Sequence, residues 1–204
     1  PLPRFHEHDD DTPEHKLANL AQGDRLLRMV QAAAGTAEVI GEDLGTVPDY
    51  VRPHLLSLGI PGFKIPQWEE HADGAAFPEC SFATYATHDL PPLRVIWESL
   101  LQRLQSADEG ERWAAGVELG RLARFAGLSW QGDPPPWSDA LAGHLLAGLF
   151  GAASRHVALG LTDLFGMTDR FNTPGTSGEG NWRTRMPFTV AEMTAGARGD
   201  AARA

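Results

Sequence analysis

Two acidic residues that follow short apolar runs are the first candidates for chemistry in this sequence. Glu42 stands in the run Val39-Ile40-Gly41-Glu42-Asp43-Leu44-Gly45, and Asp89 in Thr84-Tyr85-Ala86-Thr87-His88-Asp89-Leu90. They lie 89 − 42 = 47 residues apart, a separation that fits two strand–helix units and lets both face one pocket. A carboxylic acid with a raised pKa can protonate a poor leaving oxygen and later take a proton from an attacking hydroxyl. A second carboxylate can hold a substrate through an electron-poor transition state, and glycosidic bonds are cleaved by carboxylates working in this way. A third segment, RFNTPGT followed by NWRTRMP, supplies Asn172, Asn181, Trp182 and Arg185. Taken singly, each segment also has a structural reading. A Glu-Asp pair can be a solvated strand end or a helix cap, a His-Asp pair a structural hydrogen bond, and the Asn, Gly and Trp residues the makings of a turn.

The elements that must position these residues alternate between strand and helix. Within residues 16–34, Leu17, Leu20, Leu26, Leu27 and Val30 recur at mixed three- and four-residue spacing, which predicts a helix ended by Gly35. Val39 and Ile40 read as a buried strand with the acidic pair at its end. VPDYVRPHLLSLG reads as a short helix, starting at Pro48 or at Pro53. IPGFKIPQW reads as a strand or extended turn, and SFATYATHDL as a strand that His88 and Asp89 close. Helices are expected over PPLRVIWESLLQRLQ, over 111–126, and over SDALAGHLLAGLFGAAS with Ser138 or Asp139 as its cap. RHVALGLTDLFGM reads as a last strand and turn, followed by a Gly- and Pro-rich loop. This order predicts an α/β fold. Strands that end in polar residues suit a (β/α)₈ barrel, in which chemistry sits at the C-terminal ends of strands. About four strands are expected here, which is the C-terminal half of such a barrel. The expected division is catalytic barrel over 1–188 and a disordered tail over 189–204.

Composition narrows the class. The chain has 204 residues, 42% hydrophobic and 22% charged, in the range of ordinary globular proteins. With 27 acidic against 17 basic residues its net charge is −10, which disfavours nucleic acid and anionic lipid as partners. A single cysteine, Cys80, excludes an internal disulfide and paired-cysteine zinc sites. No run of about eighteen apolar residues is present, so no membrane span is expected. The opening residues 1–15 are polar, without a secretory core, and read as a loop. Within them, His6, His8, Asp9, Asp10 and Asp11 raise the question of a metal site, but a solvated acidic segment explains them better.

Taken together, the three segments carry a resemblance. GEDLGTVPDYVRPHLLSLGIPGFKIPQW resembles the acid/base segment of 4-α-glucanotransferases (amylomaltases), where E-D-L-G is followed by a helix, G-x-P-G and an aromatic residue. ATYATHDLPPLRVIW resembles the T-H-D motif of that family. LTDLFGMTDRFNTPGTSGEGNWRTRMP resembles its closing signature. The likeness covers residues 36–188, about three quarters of the chain.

The resemblance implies Glu42 as general acid/base and Asp89 as transition-state stabiliser, with His88 as the neighbouring sugar-binding residue. It implies supporting or substrate-side roles for Asn172, Asn181, Trp182 and Arg185. Trp68 either flanks the glucan path or is a core tryptophan. No cofactor or metal is implied. The partner would be maltodextrin or another α-1,4-glucan, the location cytoplasmic, and the reaction retaining transfer between glucan chains. The family's nucleophilic aspartate, in an Asp-His-Phe-Arg-like motif, has no counterpart in this sequence, so the segment alone is expected to be inactive. Phe165 and Phe171 replace the more usual Leu and Met, which are apolar exchanges. An α-amylase-type hydrolase or phosphorylase and a non-catalytic glucan-binding half-barrel are the alternatives.

Overall fold

The computed structural model describes residues 12–178 and 180–195. Seven α-helices and three short β-strands follow one another among these residues: α1 (Pro13–Ala34), α2 (Val51–Ser57), β1 (Gly62–Lys64), β2 (Ser81–Ala83), α3 (Leu93–Arg103), α4 (Glu109–Phe125), α5 (Asp139–Phe150), β3 (His156–Val157), α6 (Leu161–Leu164) and α7 (Val190–Thr194). The strands form a sheet in the order β1-β2-β3, which is their order in sequence. The chain divides into two compact units. The first runs to Phe63 and adds Glu79–Phe82; the second comprises Lys64–Pro78 and the chain from Ala83 onward.

In the first unit, α1 begins where local chemistry dictates. The Thr12 hydroxyl accepts from the His15 N–H at 3.1 Å, and Pro13 occupies the first turn, where its missing N–H costs nothing. Gly35, at φ 63°, ends the helix in a conformation that side chains resist. The start lies earlier than the leucine spacing indicated, because the cap rather than the apolar pattern sets it. Helix α1 is joined to α2 by polar bonds. Gln31 donates to the Leu58 carbonyl at 2.9 Å, and His54 Nε2 lies 3.1 Å from Asp24 Oδ1. Helix α2 starts at Val51, between Pro48 and Pro53, the two expected alternatives for its start.

The second unit holds a helical core whose periodicity can be read directly. Leu93, Trp97 and Leu100 of α3, Ala115, Leu119 and Leu122 of α4, and Leu141, Leu145 and Leu149 of α5 are all buried. Spacings of three and four residues place each set on one helix face. Burial of a side chain such as Trp97 is worth about 3 kcal/mol or more against truncation to alanine. Gly148 lets α5 approach the end of α4, since a Cβ there would lie 2.8 Å from the Phe125 carbonyl oxygen. Tyr85 enters this core from the segment after β2, packs edge-on against Phe125 at 5.9 Å and donates to the Leu145 carbonyl at 2.6 Å. Trp97 Nε1 donates to the Pro135 carbonyl at 3.0 Å and pins the Asp133–Trp137 loop.

Two expectations are corrected. Val39 and Ile40 do not form a strand: Ile40 is exposed, and pairing is confined to one parallel bridge between Gly41 and Gly62. A two-residue run with a single bridge lacks the ladder that would define a strand. Three strands are therefore present among the described residues instead of about four. The strand expected to end at His88 and Asp89 ends at Ala83. From there Thr84 bonds its own backbone, donating to the Ala86 carbonyl at 2.9 Å, and the chain turns. Within the segment expected as a tail, a capping box between Thr189 and Glu192 starts α7, and residues 196–204 lie outside the described residues. The acidic cluster at His6–Asp11 lies outside the described residues, and among the described residues no helix is long and apolar enough to cross a membrane.

Candidate active site

Within the first unit, the motif that carries Glu42 is built on its neighbour. Glu42 is exposed, whereas Asp43 is 5% exposed. Asp43 Oδ1 accepts from the Phe63 N–H at 2.7 Å. The Arg52 guanidinium donates to Asp43 Oδ2 at 3.2 Å and to its carbonyl at 2.9 Å. A buried charge is tolerated only when paired and hydrogen-bonded, and both conditions hold here. Glycine at 62 provides the space, since a Cβ there would lie 2.8 Å from Asp43 Oδ2. The two carboxylates of one motif therefore divide the work: Asp43 fixes the backbone, and Glu42 is left facing solvent with its carboxyl available.

Within the second unit, Asp89 sits in a tight turn. Its N–H donates to Thr87 Oγ1 at 3.2 Å, and the Leu90 N–H donates to the Thr87 carbonyl at 3.1 Å. The Asn172 amide donates to Asp89 Oδ1 at 2.5 Å, and His88 Nε2 lies 3.4 Å from the same oxygen. Both neighbours thus converge on Oδ1. His88 also lies against Trp182, with ring centroids 5.1 Å apart.

Trp182 holds that place in a strained conformation. Its φ is 60°, in the left-handed region where a bulky residue is an outlier, and its N–H donates to the Phe171 carbonyl at 2.7 Å. The residue is 63% exposed, and its ring lies beside His88. Asn181 plays a different part. It accepts from the Thr173 N–H at 3.0 Å and donates to the Thr176 carbonyl at 2.9 Å, closing the loop between Asn172 and Trp182. Arg185 is exposed.

Three further residues were not singled out as site residues by the sequence: Asp43 in the first unit, and Arg170 and Asp163 in the second. Arg170 donates from Nη2 to the Asp89 carbonyl at 2.6 Å and from Nε to the Asn172 carbonyl at 2.7 Å. Asp163, 2% exposed, accepts from the Leu93 N–H at 2.6 Å and so caps the start of α3, just after the Asp89 turn. Burial pushes its carboxyl up to about 6, against the opposing pull of that N–H. A cavity of about 230 Å³ is bounded by His88, Leu90, Asp163, Arg170 and Phe171. Trp68, 47% exposed, opens on a second cavity of about 240 Å³ that shares Leu90 with the first. The sequence signals for the missed residues were position alone: Asp43 follows Glu42, and Asp163 and Arg170 stand within the closing segment LTDLFGMTDRFNTPGT. Among the described residues no group of His, Cys, Asp and Glu could hold a metal ion.

Residues 4–191 match the family model described as 4-alpha-glucanotransferase. The 4-alpha-glucanotransferase of Mycobacterium tuberculosis is 33% identical over 181 residues, covering 78% of this chain and 24% of that protein. That of Chlamydia caviae is 27% identical over 202 residues, covering 90% of this chain and 34% of that protein. Among solved structures, the amylomaltase of Streptococcus agalactiae in complex with acarbose superposes with a TM-score of 0.59 at 20% identity, over 88% of this chain and 33% of that one. The amylomaltase of Corynebacterium glutamicum gives 0.53 at 26% identity, over 72% and 24% respectively. The chain therefore spans about a quarter to a third of the length of the relatives it matches.

Proposed function

The chain belongs to the 4-alpha-glucanotransferase family, and on that premise we propose that it supplies part of the catalytic machinery of a retaining α-1,4-glucan transferase. The observation that carries this reading is the cluster in which Asn172 and His88 both address Asp89 Oδ1 while Trp182 lies against His88. A carboxylate held by one oxygen can offer the other to ring hydroxyls. An exposed aromatic face beside it suits the apolar face of a sugar.

In this reading Glu42 protonates the departing glycosidic oxygen and then deprotonates the 4-hydroxyl of the acceptor glucan. Asp89 and His88 grip the ring as positive charge develops, and preorganisation of this kind is commonly a large share of catalysis. The covalent intermediate would form on a carboxylate outside the three motifs carried here, so the segment by itself would not complete the reaction. Strands that follow one another in sequence order, with helices between β2 and β3, support a place for this chain in the later part of a (β/α)₈ barrel. The substrates would be maltodextrins, used in the cytoplasm.

The test is the product profile of the full-length protein with maltotriose. Transfer gives glucose together with dextrins longer than the substrate. Hydrolysis gives only shorter sugars and would reassign the reaction. Glu42→Gln is expected to abolish transfer while leaving the melting temperature nearly unchanged, and unaltered turnover in that variant would remove Glu42 from the mechanism.

A further inference from the structure

We propose that Arg170 is a positioning residue for Asp89, a role that rests on the glucanotransferase reading. Its guanidinium joins two pieces of main chain that are remote in sequence. Nη2 donates to the Asp89 carbonyl, 81 positions away, at 2.6 Å, and Nε donates to the Asn172 carbonyl at 2.7 Å. Its own carbonyl accepts from the Thr184 hydroxyl at 3.0 Å, and the next carbonyl, that of Phe171, accepts from the Trp182 N–H at 2.7 Å. The Asp89 turn, the Asn172 segment and the strand of chain through Trp182 and Thr184 therefore meet at one residue.

The chemistry of the donor matters. A guanidinium is planar and presents its N–H groups in a fixed fork, so two acceptors bound to it are fixed relative to each other. Here the acceptors are the carbonyls of the two residues whose side chains meet, Asp89 and Asn172. Setting both backbones sets the geometry of the amide–carboxylate bond between them. Because the fork is directed at carbonyls, the Asp89 carboxylate keeps its own hydrogen-bonding capacity for a ligand. Lysine has the charge but not the planar fork.

Arg170 also lies apart from the packed core of α3, α4 and α5, and its bonds are confined to the site. Its loss is therefore expected to misplace Asp89 without unfolding the unit. Small misplacements of a catalytic group are costly: about an ångström can lower a rate by about 100-fold.

The test uses the full-length enzyme and maltotriose, with Arg170→Lys, Arg170→Gln, Asn172→Ala, the Arg170→Lys/Asn172→Ala double variant, and Asp89→Asn. Both Arg170 variants should lower kcat by about 10- to 100-fold, with KM within about 3-fold of the parent and a melting temperature within about 4 °C. The double variant should be little slower than the worse single one, because both changes release the same carboxylate. Unchanged kcat in both Arg170 variants, while Asp89→Asn is inactive, overturns the role of Arg170 alone. So does a rise in KM at constant kcat, which would mean direct substrate binding, or a collapse of melting temperature in both variants, which would mean a fold residue. Full transfer by Asp89→Asn overturns the glucanotransferase assignment of Asp89 and this proposal with it.

Discussion

Asn172 and Asp89, 83 positions apart in sequence, share a side-chain hydrogen bond of 2.5 Å from the asparagine amide to Oδ1. A carboxylate with one oxygen committed in this way has a fixed rotamer before any ligand arrives. Asn172→Ala should therefore lower kcat in the full-length enzyme by about 10-fold or more, in line with the loss of one preorganised donor in other active sites. Asn172→Asp should be worse, because it places a like charge against Asp89. Steady-state kinetics with maltotriose check both, and equal rates for the two variants would separate the bond from the chemistry.

Gly62→Ala tests the anchor beneath Glu42. The added methyl would lie 2.8 Å from Asp43 Oδ2, and Asp43 cannot yield without losing Phe63 N–H or Arg52. We expect a destabilisation of about 1–3 kcal/mol, typical of overpacking, together with a fall in transfer activity. Denaturant titration and product analysis read the two effects, and an unperturbed protein would show that Asp43 does not set the geometry of this loop.

Asp163 predicts a pH dependence. Its folded pKa, about 6, exceeds the ordinary value of 3.8. The folded state thus holds a proton more tightly than the unfolded state. The associated stability is fully present below about pH 4 and is lost as pH rises through about 6, with a magnitude on the order of 3 kcal/mol. Asp163→Asn keeps the acceptor for Leu93 N–H but cannot ionise. The stability of the parent relative to this variant should fall between about pH 3.5 and pH 7.5, as read by denaturant midpoints at about these two values, which bracket the transition. A pH-independent difference would mean that the carboxyl is not held protonated by burial.

Trp182 separates backbone strain from ligand contact. Its φ of 60° favours glycine, so Trp182→Gly should fold at least as well as Trp182→Ala. Both should weaken glucan binding to a similar degree, because both remove the exposed ring beside His88. Melting temperatures and KM for maltodextrin distinguish the two contributions. An unchanged KM would remove the ring from the substrate path.

Much of the helical framework was legible because each core helix repeats its apolar residues on one face. Leu93, Trp97 and Leu100 are a case in point. The segments around Glu42, Asp89 and Asn172 were legible from residue order. What sequence could not show were contacts made through main chain or fixed by burial. Arg170 acts on two carbonyls, and carbonyls leave no signature in residue type. Asp43 looks like Glu42 on paper, and only burial distinguishes the anchor from the exposed acid. Asp163 becomes unusual only when α6 brings it to the first N–H of α3. Val39 and Ile40 were misread because two β-branched residues in a row suggest a strand, whereas pairing is confined to the bridge at Gly41.

The stripes of Leu, Ala and Trp that pack α3, α4 and α5 together include none of the residues that surround the Asp89 carboxylate. Folding and chemistry in this unit are consequently written in different letters, one in apolar side chains on helices, the other in polar bonds among loops. Substitutions in the loops can therefore change the surroundings of the Asp89 carboxylate while the helices continue to assemble unchanged.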